Sequence, residues 1–372
     1  MKLLLLIGAL LGCQLERGAG AVPDRTILKI DLQNYTRSGV GVEFATDARS
    51  VCVWWWPDPP IGDFRKLPVE FVVFDLHGGV LNVSSNTLSR AEALRAFPSL
   101  VWRETQQEFV KSAVGWAFAH DFSQGLRIRR TRDSEHTAEM WALPARGEPI
   151  WSVHLPRCTQ PEPVKILLAP TDKTILINLT GSQGIVLDRD TGKTQYTFPF
   201  GPIESDAEAL QRKKKFGFRS ADDGHSLQFI AYALSQDTSN GRLACGAFFD
   251  KRIRVVEVAP SGNLVFEANT DVNPSRPIGG NWKVQRVQFL ADGNYLLAQY
   301  EFGGRGTTTV LNPVEILETR TWKRVWKESD LGIRGVTLSP DGTTLAFLRD
   351  DGLEIHPFAG AATSAHSPTL RK

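Results

Sequence analysis

Residues 334–355 read Arg-Gly-Val-Thr-Leu-Ser-Pro-Asp-Gly-Thr-Thr-Leu-Ala-Phe-Leu-Arg-Asp-Asp-Gly-Leu-Glu-Ile. Three short β-type runs, Arg334 to Leu338, Leu345 to Leu348 and Leu353 to Ile355, are divided by Ser339-Pro340-Asp341-Gly342 and by Asp350-Asp351-Gly352. Asp-Gly closes a tight hairpin because glycine takes positive φ without steric cost. The stretch therefore predicts consecutive antiparallel strands.

The same order recurs upstream. Val287 to Asn294, Tyr295 to Phe302, Val314 to Thr319 and Trp322 to Trp326 make one copy; another runs from Ile166 through Thr174 to Leu179, Gly184 to Lys193 and Thr194 to Phe198. Three weaker copies begin at Val40, Trp116 and Leu227. First strands thus start near Val40, Trp116, Lys165, Leu227, Val284 and Arg334, spaced by roughly 50 to 75 residues. Units of this kind, four strands each, stack as the blades of a β-propeller. The fold expected is all-β and six-bladed. A seventh blade would have to lie within Ser85 to Val114, which reads helically from Ser89 to Phe97.

The last copy lacks a fourth strand, because 359–372 carries no β run and reads as a flexible tail, whereas Thr26-Ile-Leu-Lys-Ile-Asp31 is a spare strand ahead of the first copy. Pairing the two removes two exposed sheet edges at once. That join makes residues 22–358 a single domain closed by its own amino-terminal strand.

Leu338-Ser-Pro-Asp-Gly-Thr-Thr-Leu-Ala-Phe347 resembles the repeat of WD-type and TolB-like propellers, in which Ser-Pro-Asp-Gly commonly precedes a Leu-Ala strand. Phe289 to Leu297 matches in part, and Leu168 to Ile177 in outline. The resemblance implies the propeller fold; such folds host enzymes, scaffolds and receptors alike, so function has to come from a site.

Among 372 residues, 43 Lys and Arg against 41 Asp and Glu give a net charge of +2, too balanced for a chain that coats nucleic acid. Met1-Lys2 precedes an apolar run from Leu3 to Leu11, too short for a permanent span and suited to an export signal. Two cleavage sites compete. Ala19-Gly20-Ala21 offers small-x-small, giving a signal over 1–21; Leu10-Leu11-Gly12-Cys13 resembles a lipobox, giving a signal over 1–12 and a lipid on Cys13, although Leu11 is larger than that position usually carries. Periplasm, cell envelope or extracellular space is the expected location, with membrane contact only through Cys13. Cys52 and Cys245 sit in apolar runs and read as buried thiols.

No paired catalytic motif is present. Seven His are scattered without metal-ligand spacing, Gly-x-Ser-x-Gly and Cys-x-x-Cys are missing, and Phe302-Gly-Gly-Arg305-Gly lacks the Lys-Ser/Thr of a phosphate loop. Neither catalytic residues, metal nor cofactor is assigned. Long connections fall on one face, the one shared by second-to-third-strand loops and inter-blade links, and such elaboration marks a working surface. Arg65, Lys66, Lys213, Lys214 and Arg305 lie on those loops, and Trp116 and Trp282 open first strands, near the pore mouth. Trp54-Trp55-Trp56 reads as packing between blades. Arg127, Arg129, Arg130 and Arg132 fall in a strand inside a blade, where they have to be paired, face a wet channel, or contradict the strand assignment.

The sequence therefore favours an exported, non-enzymatic binding or scaffold propeller that presents its loop-rich face to a protein or glycan, with no nucleic-acid partner. The alternative is a metal-dependent lactonase-like or glycan-cleaving enzyme whose ligands converge at the central channel from different blades. Intact-mass spectrometry of the mature protein checks the export assignment. Loss of 1–21, or loss of 1–12 with added lipid mass on Cys13, is expected; retention of Met1 refutes it.

Overall fold

The computed structural model describes residues 28–31, 38–45, 47–56, 70–76, 79–82, 113–119, 123–131, 135–143, 145–156, 165–168, 173–178, 183–202, 207, 229, 231–247, 251–269, 281–290, 293–303, 313–328, 332–350 and 352–358. These form strands arranged as six four-stranded antiparallel sheets. Sheet I holds β2 (Ser38–Phe44), β3 (Ser50–Trp56), β4 (Glu70–Asp75) and β5 (Gly79–Asn82). Sheet II holds β6 (Ala113–Phe118), β7 (Gln124–Arg130), β8 (His136–Ala142) and β9 (Trp151–Leu155). Sheet III holds β10 (Lys165–Leu168), β11 (Thr174–Asn178), β12 (Gln183–Asp188) and β13 (Thr194–Pro199). Sheet IV holds β14 (Ala231–Asp237), β15 (Arg242–Ala247), β16 (Arg252–Glu257) and β17 (Leu264–Asn269). Sheet V holds β18 (Asn281–Leu290), β19 (Tyr295–Gly303), β20 (Val314–Glu318) and β21 (Lys323–Glu328). Sheet VI joins β22 (Ile333–Leu338), β23 (Thr344–Arg349) and β24 (Gly352–Pro357) to β1 (Leu28–Asp31).

The six units are those of the sequence repeat, with ends displaced by a few residues. β6 starts at Ala113, so Trp116 is its fourth residue rather than its first. The spare amino-terminal strand pairs where expected: Leu28 lies opposite Ile355, Ile30 opposite Leu353 and Asp31 opposite Gly352. The leader over 1–21, the segment 85–112 that bears on a seventh unit, and the tail over 359–372 lie outside the described residues. No helix among the described residues is long and apolar enough to cross a membrane.

Burial follows strand position within each sheet. β23 is buried along its middle four residues and β11 along its last four, so both faces of these inner strands are covered. The outer strands β17 and β21 alternate exposed and half-buried residues instead, and Lys323, Arg324 and Lys327 on β21 keep a free edge unattractive to other strands. Period-2 alternation decides which neighbour each inner residue meets. On β23, Leu345 and Phe347 join the cluster with sheet V, and Ala346 and Leu348 the cluster with sheet I. On β19, Leu297 faces sheet VI, whereas Leu296, Ala298 and Tyr300 face sheet IV. Further clusters join sheet II to III and sheet III to IV. The sheets are thus packed consecutively in the order II, III, IV, V, VI, I.

The turn that opened the sequence reading is heavily hydrogen-bonded. Ser339 Oγ, Thr343 N and Thr343 Oγ1 donate to Asp341 Oδ1 at 2.5, 3.1 and 2.9 Å, and Gly342 sits at φ 72°. Partial burial pushes the Asp341 carboxyl up, but these donors outweigh it and hold it below the ordinary carboxylate value. A depressed carboxylate contributes stability above its unfolded pKa, and that contribution is lost as pH falls through the lowered one.

Leu353, fully buried opposite Ile30, sits at the seam between the amino-terminal strand and the last sheet. Leu353→Ala is expected to lower unfolding free energy by about 2–5 kcal/mol, measured by chemical denaturation; a change within error would mean that the seam carries little of the stability.

A cavity at the meeting of three first strands

The innermost strands share an irregularity. In five sheets the pairing of first and second strand slips by a bulge, between Ser38 and Gly41, Ala113 and Gly115, Ala231 and Ala233, Val284 and Arg286, and Ile333 and Gly335. The residues that resume register are Gly41, Gly115, Ala233, Arg286 and Gly335, paired with Trp54, Ile128, Gly246, Gln299 and Leu348. Four of these five are glycine or alanine, and at Gly335 and Gly41 close neighbours explain why. A Cβ on Gly335 would sit 3.2 Å from Val42 Cγ1 of sheet I, and one on Gly41 would fall 2.1 Å from the Trp54 indole. Sheet V places an arginine opposite a glutamine at the same position.

Room for that arginine comes from a cavity of about 620 Å³, inside the range of small-molecule sites. Its wall is built mainly from β2, β18 and β22, the first strands of sheets I, V and VI. Arg286 Nη1 donates to Val336 O at 2.7 Å, tying β18 to β22, and Nη2 donates to Gln288 Oε1. Burial pulls the Arg286 pKa down from its usual value, and the Glu43 carboxylate on β2 opposes that by favouring the charged guanidinium. Gln299 also lines the cavity; it is 3% exposed, and its Nε2 has no hydrogen-bond partner among the described residues. Trp54 completes one wall, its indole covering the place where residue 41 has no side chain.

The cavity reaches Ser339 and Pro340, at the hairpin from β22 to β23. This is the short-turn end of the sheets, opposite the loop-rich end that connection lengths single out. Of the residues selected from sequence, Trp116 is half-buried in the middle of β6 and is not among those lining the cavity. Trp282 is the second residue of β18, on the strand that carries Arg286, and its side chain lies outside the described residues. Cys13, Arg65, Lys66, Lys213, Lys214 and Arg305 lie outside them as well. Arg286, Glu43, Gln288 and Gln299 were not singled out, although aligning the first strands exposes an arginine at a glycine position.

The arginine-rich strand β7 is paired, and its assignment as a strand stands. Arg127 Nε meets Glu139 Oε2 at 2.7 Å, Trp141 Nε1 donates to the same oxygen at 3.1 Å, and the Arg127 guanidinium lies 4.5 Å from the Trp141 ring centre. Exposed Arg129 reaches Glu139 Oε1 at 3.7 Å; Arg132 lies outside the described residues. Cys52 and Cys245 are buried free thiols, as their apolar surroundings suggest. Burial pushes both up, with Glu43 adding to the effect at Cys52, so neither is poised as a nucleophile. Among the described residues no three His, Cys, Asp or Glu side chains converge as metal ligands.

No family model matches the chain, and no curated protein matches it.

A double-mutant cycle with Glu43→Gln and Arg286→Met, read by denaturant unfolding, is expected to give a coupling energy of about 0.5–3 kcal/mol. Additive single effects would show that the carboxylate and the guanidinium do not act on each other across the cavity.

Proposed function

We propose that the six sheets close into a six-bladed β-propeller and that the protein is an exported, non-enzymatic binding module with a ligand site on the propeller axis. The observation that carries this reading is the cavity, because first strands of three consecutive sheets that share one space stand where blades around a common axis would place them. Consecutive packing in the order II, III, IV, V, VI, I is the order that blades take in a ring, and the amino-terminal strand completes sheet VI as the closing strand of a propeller would. The Ser339-Pro-Asp-Gly342 resemblance to WD-type and TolB-like repeats agrees with it. A protein or glycan is the partner class, with two opposite surfaces on offer: the cavity, and the loop-rich face to which the sequence assigns Arg65, Lys66, Lys213, Lys214 and Arg305. The apolar run from Leu3 to Leu11 supports export.

Two measurements on the mature protein test the reading. Small-angle scattering is expected to give a radius of gyration of about 21 Å, the value for a compact chain of this length; an open array of sheets would be distinctly longer. Thermal melting is expected to be indifferent to added calcium and to chelator. A calcium-dependent rise in melting temperature, reversed by chelator, would favour the lactonase-like alternative.

A further inference from the structure

We propose that the cavity between sheets I, V and VI binds a saccharide, whose hydroxyls engage the amide and guanidinium groups of β18 and β19 and whose ring lies against Trp54. The proposal rests on the reading of this protein as a binding module and names the ligand class of that same site.

Charge balance excludes the simplest ligands. Arg286 and Glu43 offset one another, and Arg334, at the cavity edge, pairs with Asp350. A wall without strong excess of either sign suits neither a small anion nor a metal ion. It is also too polar for a purely apolar guest, because Gln285, Gln288 and Gln299 line it. A glutamine amide presents donors and an acceptor together, and so does a sugar hydroxyl, which makes the two mutually satisfying. Gln288 commits its carbonyl to Arg286, leaving its NH₂ as the group it offers.

Gln299 supplies the sharpest observation. A buried amide nitrogen without an acceptor is costly, and apolar residues serve at the corresponding place in sheets II and VI, where Ile128 and Leu348 stand. Gln299 lines the cavity, and a ligand oxygen that its amide turns to meet would remove that cost. Trp54, half-buried and flattened across Gly41, adds a rigid aromatic surface with little conformational freedom to lose. Aromatic surface beside a few polar groups that fix orientation is the usual composition of a small-molecule site.

The test uses the mature protein, with thermal midpoint and tryptophan emission as readouts. Probes are glucose, galactose, N-acetylglucosamine, glucuronic acid, maltose, cellobiose and lactose, alongside acetate, phosphate, glutamate and arginine. At least one sugar is expected to raise the midpoint and alter the emission. Trp54→Phe is expected to abolish the emission change. Gln299→Leu is expected to weaken that sugar about tenfold, the loss of one hydrogen bond, while leaving the unliganded midpoint equal or higher. A purely structural role for Gln299 would lower the unliganded midpoint instead, and that result overturns the proposal. Response to an anion or an amino acid but to no sugar, abolished by Gln299→Leu, overturns the saccharide assignment and leaves the binding module standing. Silence from every probe, with Gln299→Leu simply more stable, overturns the saccharide site, while the binding-module reading stands or falls on the scattering and calcium measurements.

Discussion

A four-stranded sheet whose middle strands are apolar on both faces needs a neighbour on each side. Leu345 and Phe347 on one face of β23, and Ala346 and Leu348 on the other, impose that condition on sheet VI. β19 imposes it on sheet V, and the same demand passes from sheet to sheet. An array with free ends would leave an apolar face in water at both of them, which is the physical argument for the proposed ring. The polar outer strands follow from the same constraint, since they lie at the solvent-facing edge of each sheet.

Charge is admitted into this apolar stack mainly as arginine. Arg254 donates from Nη1 to Phe200 O at 3.2 Å and to Pro202 O at 3.3 Å, across the junction of sheets III and IV, while its Nε holds Glu267 at 2.5 Å. Arg349 reaches Glu328 of sheet V at 3.6 Å and Glu354 of its own sheet at 2.8 Å. Arg286 spans the V to VI junction through Val336 O. A guanidinium serves such places because it stays ionised and spreads five donors over a plane, enough to satisfy two strands at once. Arg286 differs from the others in facing open space on one side.

The strands were legible because their signals are local. Asp341-Gly342 fixes a hairpin by its own backbone preference, and the run from Thr344 to Leu348 reads as a strand with no knowledge of its neighbours. The amino-terminal seam was legible for a different reason: a count of strands left one missing and one over. The cavity was not legible in this way. Glu43, Arg286 and Gln299 come from β2, β18 and β19, and nothing in the spacing of these residues states that three strands meet. Register added a second obstacle. The bulge between Val284 and Arg286 changes which residue points inward, and a bulge is decided by pairing rather than composition. Attention therefore went to conspicuous loop cations and tryptophans, while the position that departs from its own repeat passed as one more polar residue in a strand.

The seam between β1 and β24 has a consequence in time. Leu28 is synthesised long before its partner Ile355. Closing so long a loop carries an entropic cost that earlier, local hairpins avoid, so this pairing belongs at the end of the folding sequence. Until then the edge of the final sheet stays open to strands from other molecules. The interval before β1 meets β24 is thus the chain's period of greatest exposure to aggregation, and the rate of that one encounter governs how long the exposure lasts.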